Sequence, residues 1–99
     1  MGAVGCAVIP NHEYAEFTPL GSNQRQMNKI QISWDVRQDA TQFCKKLQMN
    51  KGASVQGTPV ACAVWSVQRQ ECLIVTGSVV SHVVLGHELR HCFEGHFHP

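Results

Sequence analysis

Hydrophobic residues follow no regular period in the first third of the chain and become periodic from about residue 35. Residues 1–34 carry prolines, glycines and asparagines between polar residues. This pattern predicts an N-terminal arm or long loop, with at most a short strand at 27–32.

From Asp35 the apolar residues recur at the spacing of one face of an amphipathic helix. This stripe consists of Val36, Ala40, Phe43, Cys44 and Leu47. Asp35 and Gln38 have the spacing of a capping box, and Gly52 is a suitable helix end. The helix carries no evident chemistry, so we predict that it backs the rest of the fold.

Two runs rich in branched and aromatic residues follow, at 60–67 and 71–76. The short polar segment 68–70 joins them. Strand-forming residues at this density, with so short a connection, predict an antiparallel β-hairpin.

Gly77 and Ser78 lead into the last predicted helix, which Ser78 or Ser81 can cap. Its buried side is predicted to consist of Val83, Val84, Leu85, Leu89, Cys92 and Phe93. Gly86 lies inside this helix, where glycine costs about 1 kcal/mol relative to alanine. We therefore expect a close backbone neighbour at Gly86.

Together these elements predict a small α+β fold with a backing helix, an antiparallel hairpin or small sheet, and a C-terminal helix. Ninety-nine residues suffice for one modest core, so we expect residues 35–99 to form the only domain, preceded by the arm 1–34. A hydrophobic content of 43% and a charged content of 15% are typical of a folded globular protein.

Charge and hydropathy narrow the classes of partner. Eight Lys and Arg against seven Asp and Glu give a formal net charge of +1. This balance does not indicate a basic surface, so nucleic acid is not an expected partner. No apolar run approaches the roughly 18 residues of a membrane span, and none is expected.

Five cysteines occur without a C-x-x-C pair, which argues against a cysteine-based zinc knuckle and indicates disulfides. Cys62 and Cys72 are at similar distances from the hairpin turn, so a cross-strand bridge between them is feasible. The remaining bridge would then join Cys44 to Cys92. Four cysteines allow three connectivities, so this pairing is a preference among them.

The segment Ala3-Val4-Gly5-Cys6 resembles the end of a bacterial lipoprotein signal, in which small residues precede a cysteine that becomes lipidated. The resemblance implies a lipid anchor on Cys6 and a location in the cell envelope or periplasm. Ala3 stands where such signals prefer leucine. The alternative is a cytoplasmic protein in which Cys6 is a free thiol.

The clearest chemical pattern is near the C-terminus, where His87 and His91 are four residues apart. On a helix this spacing places both imidazoles on one face, where they can bind one metal ion. Glu88, beside the first histidine, is suited to take a proton from a water molecule that attacks a carbonyl. The spacing therefore predicts a zinc site.

His87-Glu88-Leu89-Arg90-His91 resembles the H-E-x-x-H motif of the zincin metallopeptidases, and the following residues resemble the longer metzincin signature. Here three residues rather than two separate His91 from Gly95. In the family the glycine turns the chain back, so that a third histidine reaches the metal. By this correspondence His98 is the third ligand, and the extra residue leaves His96 as the alternative.

The resemblance implies a minimal zincin-like fold and a zinc-dependent metallopeptidase whose substrate is a peptide or protein. Glu88 would be the general base, and Arg90 and His96 are candidates to stabilise the oxyanion. By analogy, an open sheet edge would hold the substrate strand. The alternative from another class is a non-catalytic cell-envelope protein that binds metal, or binds a partner through the hairpin edge.

Overall fold

The computed structural model describes residues 3–6, 16–50 and 59–97 and confirms a small α+β fold. The strands are β1 (Ala3–Cys6), β2 (Gln31–Val36), β3 (Ala61–Ser66) and β4 (Glu71–Thr76). The helices are α1 (Ala40–Asn50) and α2 (His82–Glu94). None of the helices in these ranges is long and apolar enough to cross a membrane.

The four strands form one mixed sheet in the order β1-β3-β4-β2. β3 and β4 form the predicted antiparallel hairpin, but each also pairs with an outer strand. The expectation that the hairpin provides an open edge is therefore wrong. Strand β1 comes from the predicted arm, whereas β2 begins within the short strand expected at 27–32 and extends past the arm to Val36. The partners of both strands lie far along the chain.

The helices lie on opposite faces of the sheet. Side chains alternate between the two faces along each strand, and those of each face pack against one helix. The cluster on the α2 face contains Met27, Ala63, Trp65, Cys72, Ile74 and Cys92. The cluster on the α1 face contains Ala40, Cys44, Cys62 and Val75. Each helix thus has its own side of a thin, divided core.

The first helix begins at Ala40, not at Asp35. Asp35 and Val36 belong to β2, where they pair in parallel with Val75 and Thr76. The carboxylate of Asp35 accepts a hydrogen bond from Arg37 at 3.5 Å, so the predicted capping box is wrong. The predicted helix end at Gly52 lies outside the described residues.

The disulfides join Cys44 to Cys62 and Cys72 to Cys92, so the preferred pairs Cys62–Cys72 and Cys44–Cys92 are wrong. The hairpin register explains the difference. It places Cys62 opposite Val75, an odd number of residues from Cys72, and the two thiols point to opposite faces of the sheet. Each cysteine therefore bonds to the helix on its own face.

Helix α2 has defined ends. Ser81 is its N-cap and accepts a hydrogen bond from the backbone N–H of Val84 at 3.1 Å, as one of the two predicted caps. At the other end the amide of Gln26 donates to the carbonyls of His91 and Cys92, each at 3.1 Å. The segment before β2 therefore holds the C-terminal end of α2, where backbone carbonyls lack helical partners.

Candidate metal centre

His87 and His91 lie on one face of α2, with ring centroids 4.9 Å apart and ring planes at 80°. Both side chains are buried, at 6% and 1% exposure. Buried polar side-chain atoms normally have a hydrogen-bond partner or a ligand. The structure thus brings together the two imidazoles that the spacing predicted.

The orientation of the His91 ring is fixed by its surroundings. Nδ1 lies 2.8 Å from the carbonyl oxygen of Gly95. A carbonyl can only accept, so Nδ1 carries the proton and Nε2 has the lone pair in the neutral ring. The same arrangement, a second hydrogen bond that sets tautomer and ring angle, is usual for histidines that bind metals.

Gly95 ends the helix as the motif predicts. Its backbone has φ 71°, a region that favours glycine, and its N–H donates to the His91 carbonyl at 2.8 Å. A Cβ here would lie 2.5 Å from Oε1 of Gln26. The turn therefore requires glycine both for its conformation and for the approach of the capping amide.

Two residues that the sequence analysis did not single out also pack against His91. Trp65 stacks on the ring with 5.6 Å between centroids and 14° between planes. Gly5 of β1 lies so close that an added Cβ would be 2.5 Å from the ring atoms. In the sequence these two residues are a tryptophan on the predicted hairpin and a glycine in the predicted arm. Neither indicates a contact with His91 unless the order of the strands is known.

Glu88 lies in the core with 0% exposure, and neither carboxylate oxygen has a hydrogen-bond partner among the described residues. Desolvation raises the pKa of this carboxyl to about 9. A buried carboxyl without a partner destabilises a fold by roughly 1–3 kcal/mol even when neutral. A pKa shifted this far by burial marks Glu88 as a candidate functional group.

The two imidazoles are donors of the kind that a zinc-type ion favours. Within the described ranges, no three His, Cys, Asp or Glu side chains form a group that could hold a metal. His98 lies outside these ranges. His96 is exposed, with its ring 4.9 Å from that of Trp65, and its role as a ligand stays a prediction.

Phe97 and Arg90 cover the histidine pair from the outside. The Phe97 ring centroid is 5.2 Å from that of His87 and 4.5 Å from that of His91. The Arg90 guanidinium lies 3.9 Å from the Phe97 centroid and bonds Glu94 at 2.8 Å. In this arrangement Arg90 positions Phe97, and the predicted oxyanion roles of Arg90 and His96 remain untested.

Comparison of the chain with protein-family models, with curated proteins and with solved structures found no match. The chemistry of this centre and the H-E-x-x-H motif are therefore the basis on which function is inferred.

Proposed function

We propose that the protein is a zinc-dependent metallopeptidase. His87 and His91 would bind the ion, with His98 as the third ligand and His96 as the alternative. The observation that carries the proposal is Glu88, a fully buried carboxyl without a hydrogen-bond partner among the described residues. A purely structural metal site does not require such a group, and its burial costs stability.

The chain's own residues divide the chemistry among them. Bound zinc would supply polarisation of a peptide carbonyl and would lower the pKa of water. Glu88 would accept the proton of the attacking water and deliver it to the nitrogen of the leaving amine. Burial keeps bulk water from the carboxyl, and its raised pKa keeps it protonated at neutral pH in the metal-free protein. Glu88 would therefore act as a base only after the positive charge of a bound zinc ion had lowered this pKa.

The remaining residues orient the histidines. The Gly95 carbonyl and the Trp65 ring fix the angle of His91, and Gly5 of β1 lies against the same ring. Because the hairpin strands are both paired, a substrate strand that joins the sheet beside this centre would pair with β1.

The first test compares wild type with Glu88→Gln for zinc content, by mass spectrometry, and for hydrolysis of a fluorogenic protein substrate. We expect Glu88→Gln to retain zinc and to lose at least about 100-fold in rate, as for removal of a general base. Glu71→Gln, a change at an exposed residue of the hairpin, is the matched control. Equal rates in wild type and Glu88→Gln would refute the role of Glu88.

The ligands are tested separately, by zinc content alone. His87→Ala, His91→Ala and His98→Ala should each lose zinc, whereas His82→Ala should keep it, because His82 is exposed at the first turn of the same helix. Retention in His98→Ala with loss in His96→Ala would identify the alternative ligand. Zinc binding that is indifferent to His87 and His91 would refute the centre.

The non-catalytic alternative is favoured by a different surface. Ile32, Trp34 and Val36 of the outer strand β2 are exposed at 39%, 53% and 52%. Exposed apolar side chains on an edge strand are typical of a protein-binding surface. Zinc binding without hydrolysis in wild type would favour this partner-binding function.

We also propose that the protein works in the cell envelope. Two disulfides are typical of an oxidising compartment. A lipid anchor on Cys6 stays a prediction. Processing before Cys6 would remove three of the four residues of β1, including Gly5, so an anchored protein would lack this contact with His91. Incorporation of a labelled fatty acid, absent in Cys6→Ser, is the result expected for an anchor.

A further inference from the structure

A groove of about 210 Å³ runs along the flank of α2. Its apolar wall consists of Phe17, Pro19, Leu89 and Phe93. Phe17 is 47% exposed and Leu89 is 40% exposed, and exposed apolar side chains gathered in one groove are typical of a binding surface. Since an apolar cavity of about 150 Å³ can hold benzene, the groove has room for one aromatic or large aliphatic side chain.

Gly86 forms part of this groove, and its surroundings contradict the expected close backbone neighbour. A Cβ added at Gly86 would meet no atom within 4 Å apart from the helix's own nearby backbone, and the residue is exposed. Packing therefore gives no reason for a glycine that weakens the helix. The open space gives a reason for glycine, because any larger side chain at this position would project into the groove.

The charges around the groove do not cancel. Arg25, Arg90 and Glu94 line it, which gives a formal charge of +1. Glu94 pairs with Arg90 and accepts the backbone N–H of Leu20 at 3.1 Å. Arg25 donates through Nε to the Leu20 carbonyl at 2.9 Å and pairs with no carboxylate in the described ranges. Its guanidinium is therefore suited to an anionic group of a ligand.

The groove is connected to the histidine pair through a continuous stack. The Arg90 guanidinium lies between two rings, 4.3 Å from the Phe17 centroid and 3.9 Å from the Phe97 centroid. Phe97 in turn contacts both histidine rings. A ligand in the groove would thus touch the same side chains that cover the centre.

We propose that this groove is a specificity site for a substrate segment that combines a large apolar side chain with a carboxylate. The apolar side chain would lie over Gly86 and against Phe93, and the carboxylate would bind Arg25. The carboxylate comes either from a neighbouring acidic residue or from the free C-terminus of the substrate. The inference rests on the proposed function, since it assigns the substrate class of the same centre.

The test measures binding without turnover, by calorimetry on the full Glu88→Gln chain. One probe, acetyl-phenylalanyl-aspartyl amide, carries an acidic side chain, and another, acetyl-alanyl-phenylalanine, carries a free C-terminal carboxylate. The neutral probe is acetyl-phenylalanine amide. We expect one of the two acidic probes to bind at least about tenfold tighter than the neutral probe. The tighter of the two identifies the source of the carboxylate.

Variants locate the binding. Gly86→Leu should weaken the preferred probe at least about tenfold because its side chain fills the groove. The milder Gly86→Ala should weaken it less and raise the melting temperature, which shows that the fold is intact. Arg25→Gln should abolish the preference for acidic probes, and Arg25→Lys should restore much of it. Arg69→Gln, an exposed change on the hairpin, should alter nothing.

The outcomes separate the two proposals. Equal binding of acidic and neutral probes, or full binding by Gly86→Leu, overturns the groove even if wild type hydrolyses protein. Selective binding that Gly86→Leu and Arg25→Gln weaken, in a wild type that hydrolyses nothing, supports the groove as a ligand site and overturns the metallopeptidase proposal.

Discussion

Gly5 shows how much of the centre depends on a residue without a side chain. Its backbone pairs with Ala63 in the sheet, and the ring of His91 occupies the position that a side chain would need. Either β1 or the ring would have to move to admit a methyl group. The register of β1 and the angle of His91 are therefore coupled.

We predict that Gly5→Ala lowers the free energy of unfolding by about 1–3 kcal/mol, the usual cost of overpacking, and weakens zinc binding. Urea denaturation and zinc titration measure the two effects. Gly77→Ala is the matched control, because the atoms nearest to a Cβ at Gly77 are at 3.9 Å. Equal losses in the two variants would contradict the contact with His91.

We predict that the stability of the metal-free protein depends on pH because of Glu88. Burial raises its pKa from 4.5 to about 9, so between these values the folded chain binds a proton that the unfolded chain does not. As far as Glu88 is concerned, the free energy of unfolding is therefore highest below about pH 4.5 and falls as the pH rises towards 9. The slope is at most about 1.4 kcal/mol per pH unit.

Urea denaturation of the metal-free protein at pH 5, 6, 7 and 8 measures this slope. Glu88→Gln removes the titrating group, so the difference between wild type and variant isolates it from the histidines. Parallel curves for the two proteins would contradict a raised pKa at Glu88.

At the scale of elements, α2 is held in three ways. Its disulfide joins Cys92 to β4, the Gln26 amide caps its last carbonyls, and Trp65 stacks on His91. The other disulfide attaches α1 to the opposite face of the sheet. The two crosslinks close loops of similar length, but only the Cys72–Cys92 bridge holds the helix that carries His87 and His91.

We predict that removing either disulfide by a paired Cys→Ala change costs about 3 kcal/mol of stability, because the loops span 18 and 20 residues. Only loss of the Cys72–Cys92 bridge should also weaken zinc binding. Loss of Cys44–Cys62 is the matched control, since it leaves the anchor of α2 unchanged. Equal zinc affinity in the two double variants would contradict the role of the α2 crosslink.

Sequence periodicity predicted the elements that follow one another locally. The hairpin strands and the cap at Ser81 appear where the pattern indicated. Strand β1 was missed, and β2 was indicated only by the short strand expected at 27–32. Both strands pair with partners 40 or more residues away, which no local pattern reports. The same gap hid the disulfide pairing, which depends on which face each thiol points to.

The candidate centre follows the same division. A spacing of four on a helix predicted that His87 and His91 share a face, and the structure confirms it. The support from Gly5, Trp65 and Gln26 comes from distant segments, and only the assembled fold brings them to the helix. The groove at Gly86 was missed because a glycine inside a helix is compatible both with a close backbone neighbour and with an open space.

At the scale of the whole molecule, a chain of 99 residues divides its core into two clusters, one on each face of the sheet. Each cluster contains one disulfide. Small domains with so little apolar volume commonly depend on crosslinks. The fold and the compartment in which it is stable are therefore linked.

We predict that reduction of both disulfides unfolds the metal-free protein. Two crosslinks of about 3 kcal/mol each approach the roughly 5–15 kcal/mol that stabilises a whole domain. Near-ultraviolet circular dichroism at 37 °C, with and without a phosphine reductant, measures the loss of fixed packing around Trp65. Far-ultraviolet spectra of the same samples show whether the helices melt with it. A protein that keeps both spectra after complete reduction, verified by thiol counting, would show that the two clusters suffice on their own, and would remove the argument from the disulfides to an oxidising compartment.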